Sequence, residues 1–176
     1  FLELFAGSAH ASAACAAYMR VGNSVDLRNG FDLNTRDGQR KAMKIIEEQG
    51  PTVVWMAPKC GPWSLLQNAN PPQQVYELQK KNLPMVQFCI RVASYQLQKG
   101  RYFVIENPQT SRLWYIHGFQ SLYANEQVTW DTLNMCAYGL TDEVAKNDNL
   151  YYLKAVSLCH NFPIGTMDPL FRKCPG

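Results

Sequence analysis

Apolar residues open the chain: Phe1-Leu2-Glu3-Leu4-Phe5 reads as a buried strand that stops at the small-residue turn Ala6-Gly7-Ser8. The alanine-rich stretch beyond it predicts a helix running to about Arg20, and Ser24 to Leu27 predicts a short second strand. From Thr35 to Gln49 charged residues fall on one side and Met43, Ile45 and Ile46 on the other, with Gly50-Pro51 as a stop signal, which describes an amphipathic helix. The β-branched and aromatic run Thr52 to Met56 is a strand, because Ala57-Pro58-Lys59-Cys60-Gly61-Pro62-Trp63-Ser64 is too rich in Gly and Pro to continue it. A long helical pattern from about Gln73 to Lys99, with a bend expected at Pro84, leads through Gly100 to the strand Arg101 to Glu106 and the loop Asn107-Pro108. Weaker patterns predict a short helix around Ser111 to Tyr115 and strands in Val128 to Leu133 and Leu150 to Leu153.

Strands separated by helices at this spacing imply an α/β fold: a mostly parallel sheet with helices on both faces. In such sheets ligands bind beyond the carboxyl ends of the strands. The loops after Phe5, Met56 and Glu106 therefore point toward one crevice.

The chain has 176 residues, enough for one core, so residues 1–176 are expected to form a single domain. Phe1 already belongs to a strand pattern and Lys173-Cys174-Pro175-Gly176 ends in a turn-like sequence, so the domain is expected to be part of a longer polypeptide. A formal charge of +3 permits an anionic partner without the dense basic patch that would by itself announce one. Six cysteines, two of them in Ala-rich or apolar helical runs, suit a reducing, intracellular setting, and no apolar stretch approaches a membrane span.

The three loops carry the candidate chemistry. Gly7, between a strand and a helix, lets backbone approach a ligand; alone, a plain strand-to-helix turn explains it equally well. Asp26 stands where a carboxylate accepts from ribose hydroxyls, and Asp32 could hold an exocyclic amine, although a solvated loop role and a turn or cap role explain them as well. Cys60 lies between Pro58 and Pro62 beside Lys59, and a neighbouring cation with free loop amides favours the thiolate, the nucleophilic form; an inert thiol is the competing reading. Glu106 ends an apolar strand, where poor solvation suits a carboxyl group to donate or share a proton, unless it simply pairs with a basic neighbour.

In order, Phe1-Leu2-Glu3-Leu4-Phe5-Ala6-Gly7-Ser8, Pro58-Lys59-Cys60-Gly61-Pro62-Trp63-Ser64 and Glu106-Asn107-Pro108 resemble motifs I, IV and VI of the S-adenosylmethionine-dependent DNA cytosine-5 methyltransferases. Ser111-Arg112-Leu113-Trp114 resembles the element that follows in their compact, divergent branch. The resemblance implies a Rossmann-like class I methyltransferase fold that binds S-adenosylmethionine and releases S-adenosylhomocysteine. It implies that Phe5 stacks on the adenine, that Ala6, Gly7, Ser8 and Pro58 help form the cofactor site, and that Asp26 and Asp32 bind ribose and adenine amine. It further implies that Cys60 attacks C6 of cytosine, that Glu106 holds N3 and the exocyclic amine, and that Ser64 and Asn107 order the two loops. A duplex substrate would present a flipped-out base. DNA is expected ahead of RNA as the partner, with a nuclear or nucleoid location if DNA is the substrate.

The sequence departs from the family at several points. Lys59 stands where Pro usually precedes the nucleophile, Ala9 replaces a second glycine, and Pro108 stands where Val is commoner. The family's Gln-x-Arg-x-Arg element has no clean match after Tyr138-Gly139, leaving Lys146 as a substitute substrate contact, and no separate target-recognition domain fits in the remaining length. These departures keep open a non-catalytic cofactor-binding or scaffold module, and RNA cytosine-5 methylation is a further alternative. Cys136, Cys159, His160 and Cys174 match no compact zinc spacing, so no metal is expected.

Overall fold

The computed structural model of the chain describes residues 1–140 and 152–173. Three apolar runs form adjacent parallel strands, β1 (Leu2–Leu4), β2 (Val53–Met56) and β3 (Tyr102–Pro108), in a register that aligns Leu4, Met56 and Ile105. Two later strands, β4 (Thr129–Asn134) and β5 (Ala155–His160), extend the sheet in the order β1-β2-β3-β5-β4. Because β5 is antiparallel to both β3 and β4, it alone is reversed, and the other strands of this sheet share one direction. The result is the expected Rossmann-like, mostly parallel α/β sheet.

The expected second strand shrinks to one residue. Val25 bridges Leu4 in parallel, and then Asp26 accepts from the Arg28 amide and turns the chain into a 3-10 turn, Leu27–Asn29. The expected strand at Leu150 to Leu153 is also corrected. Leu150 and Tyr151 lie outside the described residues, while Tyr152 and Leu153 are exposed and precede β5. β5 is buried along nearly its whole length, so it shows none of the apolar–polar alternation that marks a half-exposed strand.

Helices cover the two faces unequally. On one face Leu2, Leu4, Val54, Met56, Phe103, Ile105 and Cys159 join a core with α2 (Arg36–Gln49), α3 (Pro72–Gln98) and α4 (His117–Tyr123). α2 has the caps its sequence announced: Thr35 Oγ1 accepts from the Gly38 amide, and Gly50 closes the helix in a left-handed conformation. α3 runs unbroken through Pro84; its second half contributes most of its buried residues, and its first half is largely exposed. The sequence pattern near Ser111 becomes a 3-10 turn, Arg112–Tyr115, capped by the Ser111 hydroxyl and followed by α4, which was not expected.

The other face carries Val104, Val156 and Leu158 under Met167, and the short helix α1 (His10–Cys15). α1 ends well before Arg20 because its alanines supply no bulky apolar stripe to bury. A polar contact holds it instead: the Ser12 amide and hydroxyl both donate to Glu3 Oε2, at 2.8 and 2.6 Å. Among the described residues no helix is long and apolar enough to cross a membrane.

Candidate active site

The turn after β1 is strained. Phe5, Gly7 and Ala9 all have left-handed backbone, with φ of 61°, 52° and 55°, although only one of the three is glycine. A bulky residue at positive φ costs on the order of 1–3 kcal/mol and persists where its surroundings over-determine it. Asp26 helps do so: its Oδ2 accepts from the Gly7 amide at 3.1 Å, while Oδ1 accepts from Arg28 at 3.0 Å. Asp26 thus links the turn after β1 to the remnant second strand.

Phe5, Gly7, Asp26 and Asp32 share the wall of a cleft of about 700 Å³, together with Phe31, Asn34, Lys59, and Leu78, Lys81, Asn82 and Met85 of α3. Four of the seven residues read from sequence as cofactor contacts therefore meet in one cavity. Ala6, Ser8 and Pro58 are not part of its wall: Ala6 and Pro58 are buried, while Ser8 faces solvent.

Two wall features had no sequence signal. Asn34 Oδ1 is buried with no hydrogen-bond partner among the described residues, an acceptor in want of a donor. The backbone of Asp32 also crosses α2 so closely that a Cβ at Gly38 would lie 2.1 Å from the Asp32 carbonyl oxygen. Asp32 Oδ1 accepts from the Asn34 amide at 3.0 Å, so the expected local turn role is present, while its place in the wall keeps the ligand role available.

The cysteine loop leaves β2 at the top of the sheet. Pro62 and Trp63 are buried and anchor it, while Cys60 is exposed at the start of a 3-10 turn, Gly61–Trp63. Three long side chains hold the loop by its carbonyls: Asn107 Nδ2 donates to Pro58 at 2.8 Å, Gln67 Nε2 to Gly61 at 2.9 Å and Gln79 Nε2 to Pro62 at 3.2 Å. Gln67 and Gln79 were missed, since nothing local in sequence distinguishes them from solvated amides. Ser64 Oγ accepts from the Leu66 amide and caps the following turn, Leu65–Ala69.

Asn107 and Glu106 are neighbours on β3 whose side chains alternate to opposite faces. Asn107, 1% exposed, joins the β2 and β3 loops, and its Oδ1 has no partner among the described residues. Its side chain is spent on this link and is not part of the cleft wall. Glu106 is only partly exposed, and burial raises its carboxyl group above the usual carboxylate range against the opposing pull of Lys154. The two loops are thereby tied at the ends of adjacent strands, with a thiol on one and a partly buried carboxyl group on the other. Lys146 lies outside the described residues.

The cysteine and histidine residues of the C-terminal part do not assemble a metal centre among the described residues. Cys159 and His160 are successive in β5 and face opposite sides of the sheet. Burial pushes the Cys159 thiol up to about 12, and both ring nitrogens of His160 are engaged, by Asp131 Oδ2 at 2.8 Å and the Phe162 amide at 3.1 Å. Cys174 lies outside the described residues.

No protein-family model and no curated protein matches the sequence. The fold is similar to the solved structure of the Entamoeba histolytica methyltransferase EhMeth, with a TM-score of 0.52 and 14% sequence identity over 98% of this chain. The chain spans 56% of that protein's length, and at this identity the likeness establishes the shared fold.

Proposed function

We propose that the protein transfers a methyl group from S-adenosylmethionine to C5 of cytosine in DNA, through a covalent bond between Cys60 and C6. The observation that carries the reading is the Asn107–Pro58 hydrogen bond, which couples the strand end of Glu106 to the loop of Cys60, whose Ala57 and Lys59 line the cleft although Cys60 and Glu106 themselves do not. That EhMeth is a methyltransferase of similar fold supports methyl transfer. The cytosine specificity rests on the Cys60 and Glu106 motifs.

The cleft residues fit the cofactor. Phe5 and Phe31 offer apolar surface to an adenine, Gly7 leaves open space where a Cβ would stand, and Asp26 retains acceptor capacity for ribose hydroxyls. The orphaned Asn34 Oδ1 offers an acceptor for an amine, as does Asp32. When bound, S-adenosylmethionine supplies an electrophilic methyl group on a sulfonium sulfur.

Cys60 Sγ, as thiolate, adds to C6 while Glu106 delivers a proton to N3, which makes C6 electrophilic and leaves C5 electron-rich. With the donor held by the cleft residues, the electron-rich C5 would accept its methyl group and S-adenosylhomocysteine would remain as the leaving product. Loss of the C5 proton to a base then re-forms the C5–C6 double bond and expels Cys60 as thiolate, while N3 returns its proton to Glu106. Raised proton affinity suits Glu106 to the first step.

The test is covalent capture. DNA containing 5-fluorocytosine, incubated with the protein and S-adenosylmethionine, is expected to yield an adduct that mass spectrometry maps to Cys60, because fluorine blocks the proton loss that frees the enzyme. A Cys60→Ala variant should give none. Capture with RNA alone would move the substrate to RNA. Cofactor binding without any adduct would instead identify a cofactor-binding module.

A further inference from the structure

A second cavity of about 510 Å³ lies beyond the end of β3, unconnected with any role assigned above. Its walls are aromatic: Trp114, Tyr115, Tyr123 and Trp130, with Gln109 at one side. Trp114 and Tyr123 each stand nearly perpendicular to Trp130, at 73° and 77° with ring centroids 4.2 and 5.1 Å away, so the rings brace one another. Trp114 Nε1 donates to the Pro108 carbonyl at 2.9 Å and Tyr123 Oη donates to the Trp114 carbonyl at 3.3 Å, which satisfies the polar ends and leaves the ring surfaces as walls. Tyr115 is the exception, 85% exposed at the rim.

The position of this cavity gives it a meaning. Gln109 follows Glu106 by three residues, a backbone reach of roughly 10 Å. Arg112, on the same 3-10 turn as Trp114 and Tyr115, hydrogen-bonds Asn68 of the segment that follows the Cys60 loop. The turn that carries Trp114 and Tyr115 thus also presents an exposed guanidinium, bonded to the segment after the Cys60 loop. None of the described residues that line the cavity carries a formal charge, so none of them offers a carboxylate to a cationic ligand.

We infer that this cavity holds a nucleobase of a nucleic-acid single strand, stacked against the exposed Tyr115 ring beside the target cytosine, with Arg112 on the neighbouring phosphate. The inference rests on the proposed function, since it assumes that the target base lies between Cys60 and Glu106. Base–aromatic stacking tolerates any base, so the cavity secures the strand beside the target without specifying sequence. It offers this small chain a hold on the substrate outside the reaction site.

The experiment measures binding of a labelled DNA strand of about 12 nucleotides, within the span that such grooves hold. Fluorescence anisotropy is recorded for the wild type, Tyr115→Ala and Arg112→Gln, each across a salt series. Tyr115→Ala is expected to weaken binding roughly 5- to 150-fold, the effect of losing one stacked base. Arg112→Gln should lower the slope of log affinity against log salt by about 0.7, one single-strand phosphate. One abasic nucleotide should reproduce the Tyr115→Ala loss in the wild type and add nothing in the variant. Calorimetry with S-adenosylhomocysteine should give the same affinity for Tyr115→Ala and wild type, which separates a cavity effect from misfolding.

Absence of strand binding by the wild type, equal affinity for wild type and Tyr115→Ala, or insensitivity to every abasic substitution would each overturn the inference, as would Tyr115-dependent capture of a methylated-lysine peptide in place of the strand. Failure of the cytosine reading is distinguishable: it removes the Cys60 adduct while Tyr115-dependent strand binding remains.

Discussion

Asn107→Ala tests whether one hydrogen bond couples the two loops of the proposed site. The side chain is 1% exposed, and its amide is the donor that β3 extends to the Pro58 carbonyl. Truncation leaves that carbonyl buried without its donor, a loss of about 1–3 kcal/mol. Deleting Oδ1, which is unpaired among the described residues, recovers part of this, so the net loss is expected near the lower end of that range. Asn107→Asp differs by one atom, yet sets an oxygen against the Pro58 carbonyl and buries a charge, at about 3–5 kcal/mol. Urea unfolding at pH 7 should therefore rank the wild type above Ala and Ala above Asp. Hydrogen exchange over residues 59–64 should rise about 5- to 30-fold in the Ala variant, the factor that 1–2 kcal/mol represents. Methyl transfer should fall by about 100-fold, because a displacement of about 1 Å of a reacting group has that effect. An Asp variant as stable as the wild type, with unchanged exchange at residues 59–64, would refute the coupling.

Other residues give equally direct outcomes. Asp26→Ala removes both the acceptor offered to ribose and the acceptor of the Gly7 amide, so calorimetry should record weaker S-adenosylhomocysteine binding; an unchanged affinity removes Asp26 from the site. Gly38→Ala would press a methyl group to within 2.1 Å of the Asp32 carbonyl, so the loop must shift and cofactor affinity should drop while α2 itself, by helix propensity, gains. Glu106 has a folded-state proton affinity above that of the unfolded chain, so the native state binds more protons and wild-type stability falls as pH rises above the ordinary carboxylate range. Glu106→Gln should abolish that dependence, unfolding at higher urea than the wild type at pH 8 and at similar urea at pH 4, while turnover is lost. Equal pH profiles for the two proteins would show that the carboxyl group is not desolvated.

What a local stretch of chain could decide, the sequence by itself determined. β1, β2 and β3 are short runs of large apolar residues ended by Gly or Pro, and α2 has its own cap at Thr35 and its own stop at Gly50; burial tendency and capping are properties of neighbouring residues. The loops of Gly7, Cys60 and Glu106 were legible for the same reason, and parallel strands then bring their ends to one edge.

Tertiary structure decided the rest. α1 stops at Cys15 because its only buried anchor is a polar contact with Glu3, and β5 begins at Ala155 because both its neighbours in the sheet are distant in sequence. The same holds for the Asn107–Pro58 bond across 49 positions, for the Gln67 and Gln79 contacts that fix the cysteine loop, and for the buried oxygen of Asn34 that has no partner among the described residues. Side-chain amides look alike wherever they occur in a chain. Only folding determines which of them meets a carbonyl, which meets water and which lines the cleft, because that choice depends on groups brought together from separate elements.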